Sequence, residues 1–165
     1  MAQRRTVDPT HRTFVSYIDK SRDYYLARGY RNPYRWAYFD TVPFTRLRRP
    51  LARSTVTVIT TAHQGLESPS FRSVYSVDSD RPPTHLSTDG LFWDREATHT
   101  NDLDSYFPVH RLQEYARDGR FAGLAQRLHG VPTEYSQRQT LDRDAPELLR
   151  RCQDDGVDAA LLVPL

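Results

Sequence analysis

The stretch that most limits what this chain can fold into is Asp144 to Leu165. Ala145-Pro146-Glu147-Leu148-Leu149-Arg150-Arg151-Cys152 reads as an amphipathic helix. Asp144 is its expected N-cap, Pro146 sits in the first turn, and Gly156 falls just past the end, where a left-handed cap needs it. Val157 to Val163 follows, apolar except for Asp158 and of strand length. A helix that turns tightly at glycine into such a run predicts a strand buried on both faces, as in a parallel sheet. In open α/β sheets, ligands gather beyond the carboxyl ends of such strands. Only Pro164 and Leu165 remain, so the chain is expected to break off where that loop would begin.

At 165 residues one domain is expected over 1–165, large enough to bury a core. A net charge of +2 is too small to argue for nucleic acid. No apolar run is long enough to cross a bilayer and no apolar segment follows the basic start, so a cytoplasmic protein with no membrane partner is expected. The single cysteine, Cys152, excludes an internal disulfide or a cysteine-based metal cluster and reads as a half-buried structural thiol.

Residues 1–9 are polar and basic and are expected to be disordered. Thr10 to Arg28 carries a helical stripe closed by Gly29. Between Tyr24 and Phe39, aromatics alternate with Arg28, Arg31 and Arg35. Such a pattern can stack bases, but it equally suits an irregular segment pinned by large side chains. The second reading is preferred, because no RNP-like pattern accompanies the cluster. Ser54 to Thr61, β-branched at almost every position, predicts the first strand, and Phe71 to Val77 a second, short one. Phe107 to Ala116 predicts a helix with Val109, Leu112 and Ala116 facing the core and His110, Arg111 and Glu114 in solvent. An apolar segment, Phe121 to Leu128, then leads into a polar link over 133–140. The order predicts the α/β class, a mostly parallel sheet with flanking helices.

Two places carry polar chemistry. Thr60 and Thr61 end the first strand and are suited to line a ligand pocket, though a strand that merely stops at polar residues looks the same. Ala97 to Asp104 gathers His99, Asn101, hydroxyls and carboxylates. A lone histidine is more often a hydrogen-bonded structural residue than a base, and no second histidine stands at zinc-binding spacing. No metal and no cofactor are expected, and no phosphate loop, nucleophile elbow or zincin motif occurs.

Several segments, in shared order, resemble the selenoprotein B family of glycine, sarcosine and betaine reductases and their D-proline reductase relatives. They are residues 17–25 and 29–37, Pro43-Phe44-Thr45, Thr60-Thr61-Ala62, Thr98-His99-Thr100-Asn101, Phe107-Pro108-Val109-His110-Arg111-Leu112 and residues 155–164. The resemblance implies an α/β oxidoreductase component acting on a small amino acid or amine derivative, with other reductase subunits or a second copy as partners. It implies that a selenocysteine or cysteine follows the strand at 157–163, so that this chain, a selenoprotein ended at the selenocysteine codon, lacks its nucleophile. His99 and Asn101 become candidates to supply a proton or orient the substrate, and Thr60 and Thr61 to bind it. The region before the Phe107-Pro108 helix is shorter than in the family and holds fewer histidines, which leaves the substrate open. A non-catalytic, ligand-binding or regulatory paralogue is the alternative.

Overall fold

The computed structural model describes residues 16–31, 40–42, 45–91, 93, 95–96, 99–134 and 136–165. The chain divides into two compact units, Met1–Val42 and Pro43–Leu165. In the first, helix α1 (Ser16–Ala27) ends as its glycine predicts. Gly29 adopts φ 84°, and the N–H groups of Gly29 and Tyr30 close onto the carbonyls of Leu26 and Tyr25. Tyr24, Tyr25 and Tyr30 are exposed; Tyr25 meets the other two edge-on, and Arg28 lies 4.8 Å over the Tyr24 ring. These three tyrosines thus pack on one another and on arginine. Residues 1–9, the start of the expected helix and the aromatics of 34–39 lie outside the described residues.

The second unit is the α/β domain. Its strands are β1 (Thr55–Thr60), β2 (Tyr75–Asp78), β3 (Gly123–Leu124), β4 (Arg127–Gly130) and β5 (Ala159–Val163). β1 pairs in parallel with β5 along its whole length, and in parallel with β3 and β4. Val56 has both Leu124 and Ala159 as partners, and Thr60 both Gly130 and Val163, so β3 and β4 share one side of β1 and β5 takes the other. β2 runs antiparallel on the far side of β4. The sheet is therefore mixed and mostly parallel.

β3 lies within the apolar segment at 121–128 and β4 starts at its end, and together they form one interrupted strand. Thr55 faces Gly123 and Thr60 faces Gly130, so this strand spends two more residues than β1 over the same span. The break is a bulge, and its carbonyls still find donors. Ser79 N–H reaches the Gln126 carbonyl, and the Thr57 hydroxyl reaches that of Arg127. The second strand starts later than expected, because Ser68 caps a 3₁₀ turn at Pro69–Phe71 and the chain extends only from Tyr75.

One face of the sheet carries the main core. Val58, Val77 and Leu128 project onto Leu103, Phe107 and Val109, the start of helix α2 (Val109–Arg117). Asp104 caps α2, accepting from the N–H groups of His110 and Arg111. The other face is covered by helix α3 (Ala145–Asp154). Asp144 is not its N-cap. It lies within a π turn, Thr140–Asp144, that joins α3 to a preceding helical turn capped by Ser136. Pro146 explains the wide turn: it has no N–H to give and its ring crowds the carbonyl four residues back, so the helix runs through by widening. Gly156, at φ 63°, closes α3 as expected, with Val157 N–H on the Cys152 carbonyl.

β5 departs from expectation. Among the described residues it pairs only with β1, and Leu161 and Leu162 are 42% and 69% exposed, so the apolar run is an edge strand rather than one buried on both faces. Among the described residues no helix is long and apolar enough to cross a membrane.

Candidate functional site at the carboxyl edge of the sheet

Because β1, β4 and β5 are parallel, Thr60, Gly130 and Val163 end side by side. Beyond Thr60, His63 and Ser87 exchange backbone hydrogen bonds of 3.0 and 2.6 Å, which holds the 86–89 segment over this edge. The buried Tyr106 locks the arrangement from below. Its hydroxyl donates to the Leu86 carbonyl and its carbonyl accepts from the Thr60 hydroxyl. Burial raises the Tyr106 phenol above its ordinary value, so it stays a donor. A 3.2 Å contact between the Thr88 and Thr100 hydroxyls ties in the 99–101 segment. Leu165 donates its N–H to the Thr61 hydroxyl at 2.9 Å and packs against the core.

The four residues singled out from sequence thus lie on segments linked through this edge, but in different states. Thr60 is 1% exposed, and its hydroxyl is engaged by Tyr106 and Ala62. Thr61 is half-buried and engaged by Leu165. His99 and Asn101 are exposed, and among the described residues no hydrogen bond joins either to Thr60 or Thr61. His63, buried at the end of β1, is held at both ring nitrogens. Nδ1 accepts from Gly65 N–H, which leaves Nε2 as the donor to the Asp89 carbonyl at 2.8 Å. An imidazole held at both nitrogens in this way is a loop fastener. The edge offers hydroxyls, backbone groups and the exposed His99 imidazole, which suits orienting a small polar ligand.

A second polar cluster, on the face under α3, received no role from the sequence. His129 is fully buried; its Nδ1 and the Ser76 hydroxyl share a 3.0 Å hydrogen bond, and Arg151 donates into the same Ser76 oxygen at 2.9 Å. His129 Nε2 has no partner and lies 3.9 Å from Asp155, which Arg127 grips with two nitrogens. Desolvation lowers the His129 pKa against the pull of Asp155, so the ring is held neutral. Serine, histidine and aspartate here have the makings of a nucleophile, base and orienting group. However, the arginine covers the serine oxygen and the ring has no exposure, so the cluster clamps α3 to β2 and β4. A histidine directly after the apolar segment at 121–128 was the sequence signal of it. No protein-family model, no curated protein and no solved structure matches this chain.

Proposed function

We propose that this chain forms the substrate-side part of a selenol- or thiol-dependent reductase acting on a small amino acid or amine derivative, of the glycine, sarcosine, betaine and D-proline reductase kind. The observation that carries the reading is the 2.9 Å bond from Leu165 N–H to the Thr61 hydroxyl. With β1 and β5 parallel, this bond turns the backbone leaving β5 over the carboxyl end of β1, where α/β chemistry concentrates. In this reading the nucleophile is supplied by the residue after Leu165. It would be anionic at neutral pH, with a thiol nearby to reduce its oxidised form. His99 and Asn101, both exposed, orient the substrate or deliver the proton, and Thr61 fixes the approach of the nucleophile's loop.

Cys152 does not fill that role: it is half-buried, and desolvation pushes its thiol above the ordinary value. That observation favours the second reading for the chain as it stands, a ligand-binding or regulatory paralogue with no redox centre. Dithiol-dependent turnover of glycine, sarcosine, betaine and D-proline separates the two. The comparison is between this chain and one extended by Cys-Pro-Val-Cys-His. The reductase reading expects turnover only in the extended chain, lost in its His99→Ala variant. Turnover by the short chain rejects this mechanism. Inactivity of both chains, with a substrate-induced rise in Tm, leaves the binding module; without such a rise both readings fall.

A further inference from the structure

Between α2 and β5 the sheet carries an open apolar groove of about 600 Å³, lined by Leu51, Leu112, Tyr115, Phe121 and Leu161. Its one charged lining residue is Arg120. Exposed Arg53 and Arg117 lie on the segments framing the same end, the first just before β1 and the second in the last turn of α2. Among the described residues the exposed acids beside them are Asp118 and Glu114, the latter paired with Arg111, and the half-buried Asp158 at the head of β5 is paired with Arg49. Among the described residues Arg53, Arg117 and Arg120 make no ion pair.

The dimensions are those of a missing helix. α2 packs on β3, and β5 lies two strands away across β1. Two strand spacings are about 9.6 Å, and packed helices stand about 8–10 Å apart. A helix beside α2 would therefore rest on β5 and cover Leu161. A helix laid antiparallel to the strands, as crossover helices of α/β layers are, would have its carboxyl end over the strands' amino ends. There the negative end of the helix dipole, and any carboxylates in its last turn, would meet the three arginines. A second copy docked groove to groove would set these arginines against the same arginines, which disfavours it.

We propose that this groove receives an amphipathic helix of a partner protein, its leucine-type stripe on Leu161 and Phe121 and its acidic last turn against Arg53, Arg117 and Arg120. This inference stands apart from the reductase reading, since the groove lies at the opposite end of β1 from Thr61.

The test uses two fluorescein-labelled synthetic helices with the same leucine stripe, one ending in a glutamate-rich turn and the other in a lysine-rich turn. Anisotropy titrations with the 165-residue chain are run at low and high salt, and sedimentation reports its oligomeric state. The glutamate-ended helix is expected to bind at least tenfold tighter at low salt, with the gap closing at high salt. Arg120→Glu together with Arg117→Glu should reverse the preference. Leu161→Arg, at a half-exposed position, should abolish binding of both without changing the thermal melt. The proposal is overturned if neither helix binds, if both bind equally at low salt, or if the charge reversal leaves the preference intact. It is equally overturned if the chain sediments as a dimer that Leu161→Arg converts to monomers, since a second copy then occupies the groove.

Discussion

Gly130 ends β4 in the position that Tyr75 occupies with its ring, and a methyl group there would fall inside that ring. Tyr75 cannot withdraw cheaply. It is buried, and its hydroxyl donates to the Ala62 carbonyl at 2.6 Å, pinning β2 to the segment that follows β1. Burial pushes its phenol well above the ordinary value, so this donor persists at any working pH. Gly130→Ala must therefore displace the ring. Overpacking a core costs about 1–3 kcal/mol, and leaving a buried hydrogen-bond pair broken costs about 1–3 kcal/mol more. A loss of about 3 kcal/mol corresponds to roughly 6–12 °C in Tm for a chain of this size.

A double-mutant cycle read by urea and thermal unfolding checks the cause. Tyr75→Phe alone removes only the hydroxyl and should cost about 1–2 kcal/mol. In the Gly130→Ala background, where that bond is already broken, the same change should cost almost nothing, a coupling of about 1–2 kcal/mol. If Gly130→Ala loses less than about 0.5 kcal/mol, within the range of a neutral surface change, or if the two losses simply add, the close approach of ring and backbone does not govern this edge.

Three further outcomes follow from named contacts. His129 has its pKa depressed by burial, so the unfolded chain takes up a proton near pH 6.5 that the folded chain refuses; the associated stability is complete above that pH and is lost as pH falls toward the folded value. His129→Gln should flatten this dependence, and urea midpoints at pH 7.5 and 5.0 that shift equally in both proteins would contradict it. Gly156→Ala forces an L side chain to φ 63° at the end of α3 and should cost about 1 kcal/mol by thermal melt, whereas Gly123→Ala, with open space around it and no such φ, should cost less. Thr61→Val removes the acceptor for Leu165 N–H and should speed hydrogen exchange at Leu165 while leaving β1 amides such as Val58 protected; unchanged exchange at Leu165 would show that the hydroxyl does not hold the end of β5.

β1 and the α3–Gly156–β5 unit were legible because their signals are local: β-branched residues in one case, a cap and an apolar run in the other. The interrupted strand was not. Phe121, Leu124, Ala125 and Leu128 recur at helical spacing, yet the chain is extended there. The bulge shifts the alternation midway, so the two halves superpose into a false helical stripe. Asp144 was misplaced for a related reason. A proline in a first turn and a proline in a widened helix interior share the same local sequence, and only the upstream cap at Ser136 tells them apart. The exposure of β5 was beyond reach, since strand composition reports what a strand can bury and not which neighbours it meets.

Of the candidate site, the sequence supplied the segments but not the state of each side chain. Thr60 and Thr61 are adjacent and chemically alike, yet strand alternation gives them opposite faces. Thr60 turns inward, where Tyr106 and Ala62 consume its hydroxyl, while Thr61 stays half-buried and meets Leu165. A ligand arriving at this edge can therefore displace the Leu165 contact at the cost of one partly exposed hydrogen bond. Reaching Thr60 would mean breaking the link that positions Tyr106 and, through its hydroxyl, the Leu86 segment. Thr61, His99 and Asn101 are reached without breaking the buried Thr60–Tyr106 link. In the reductase reading, substitutions at those three residues should act on rate or affinity, whereas Thr60→Val should act through folding, seen as a lower Tm.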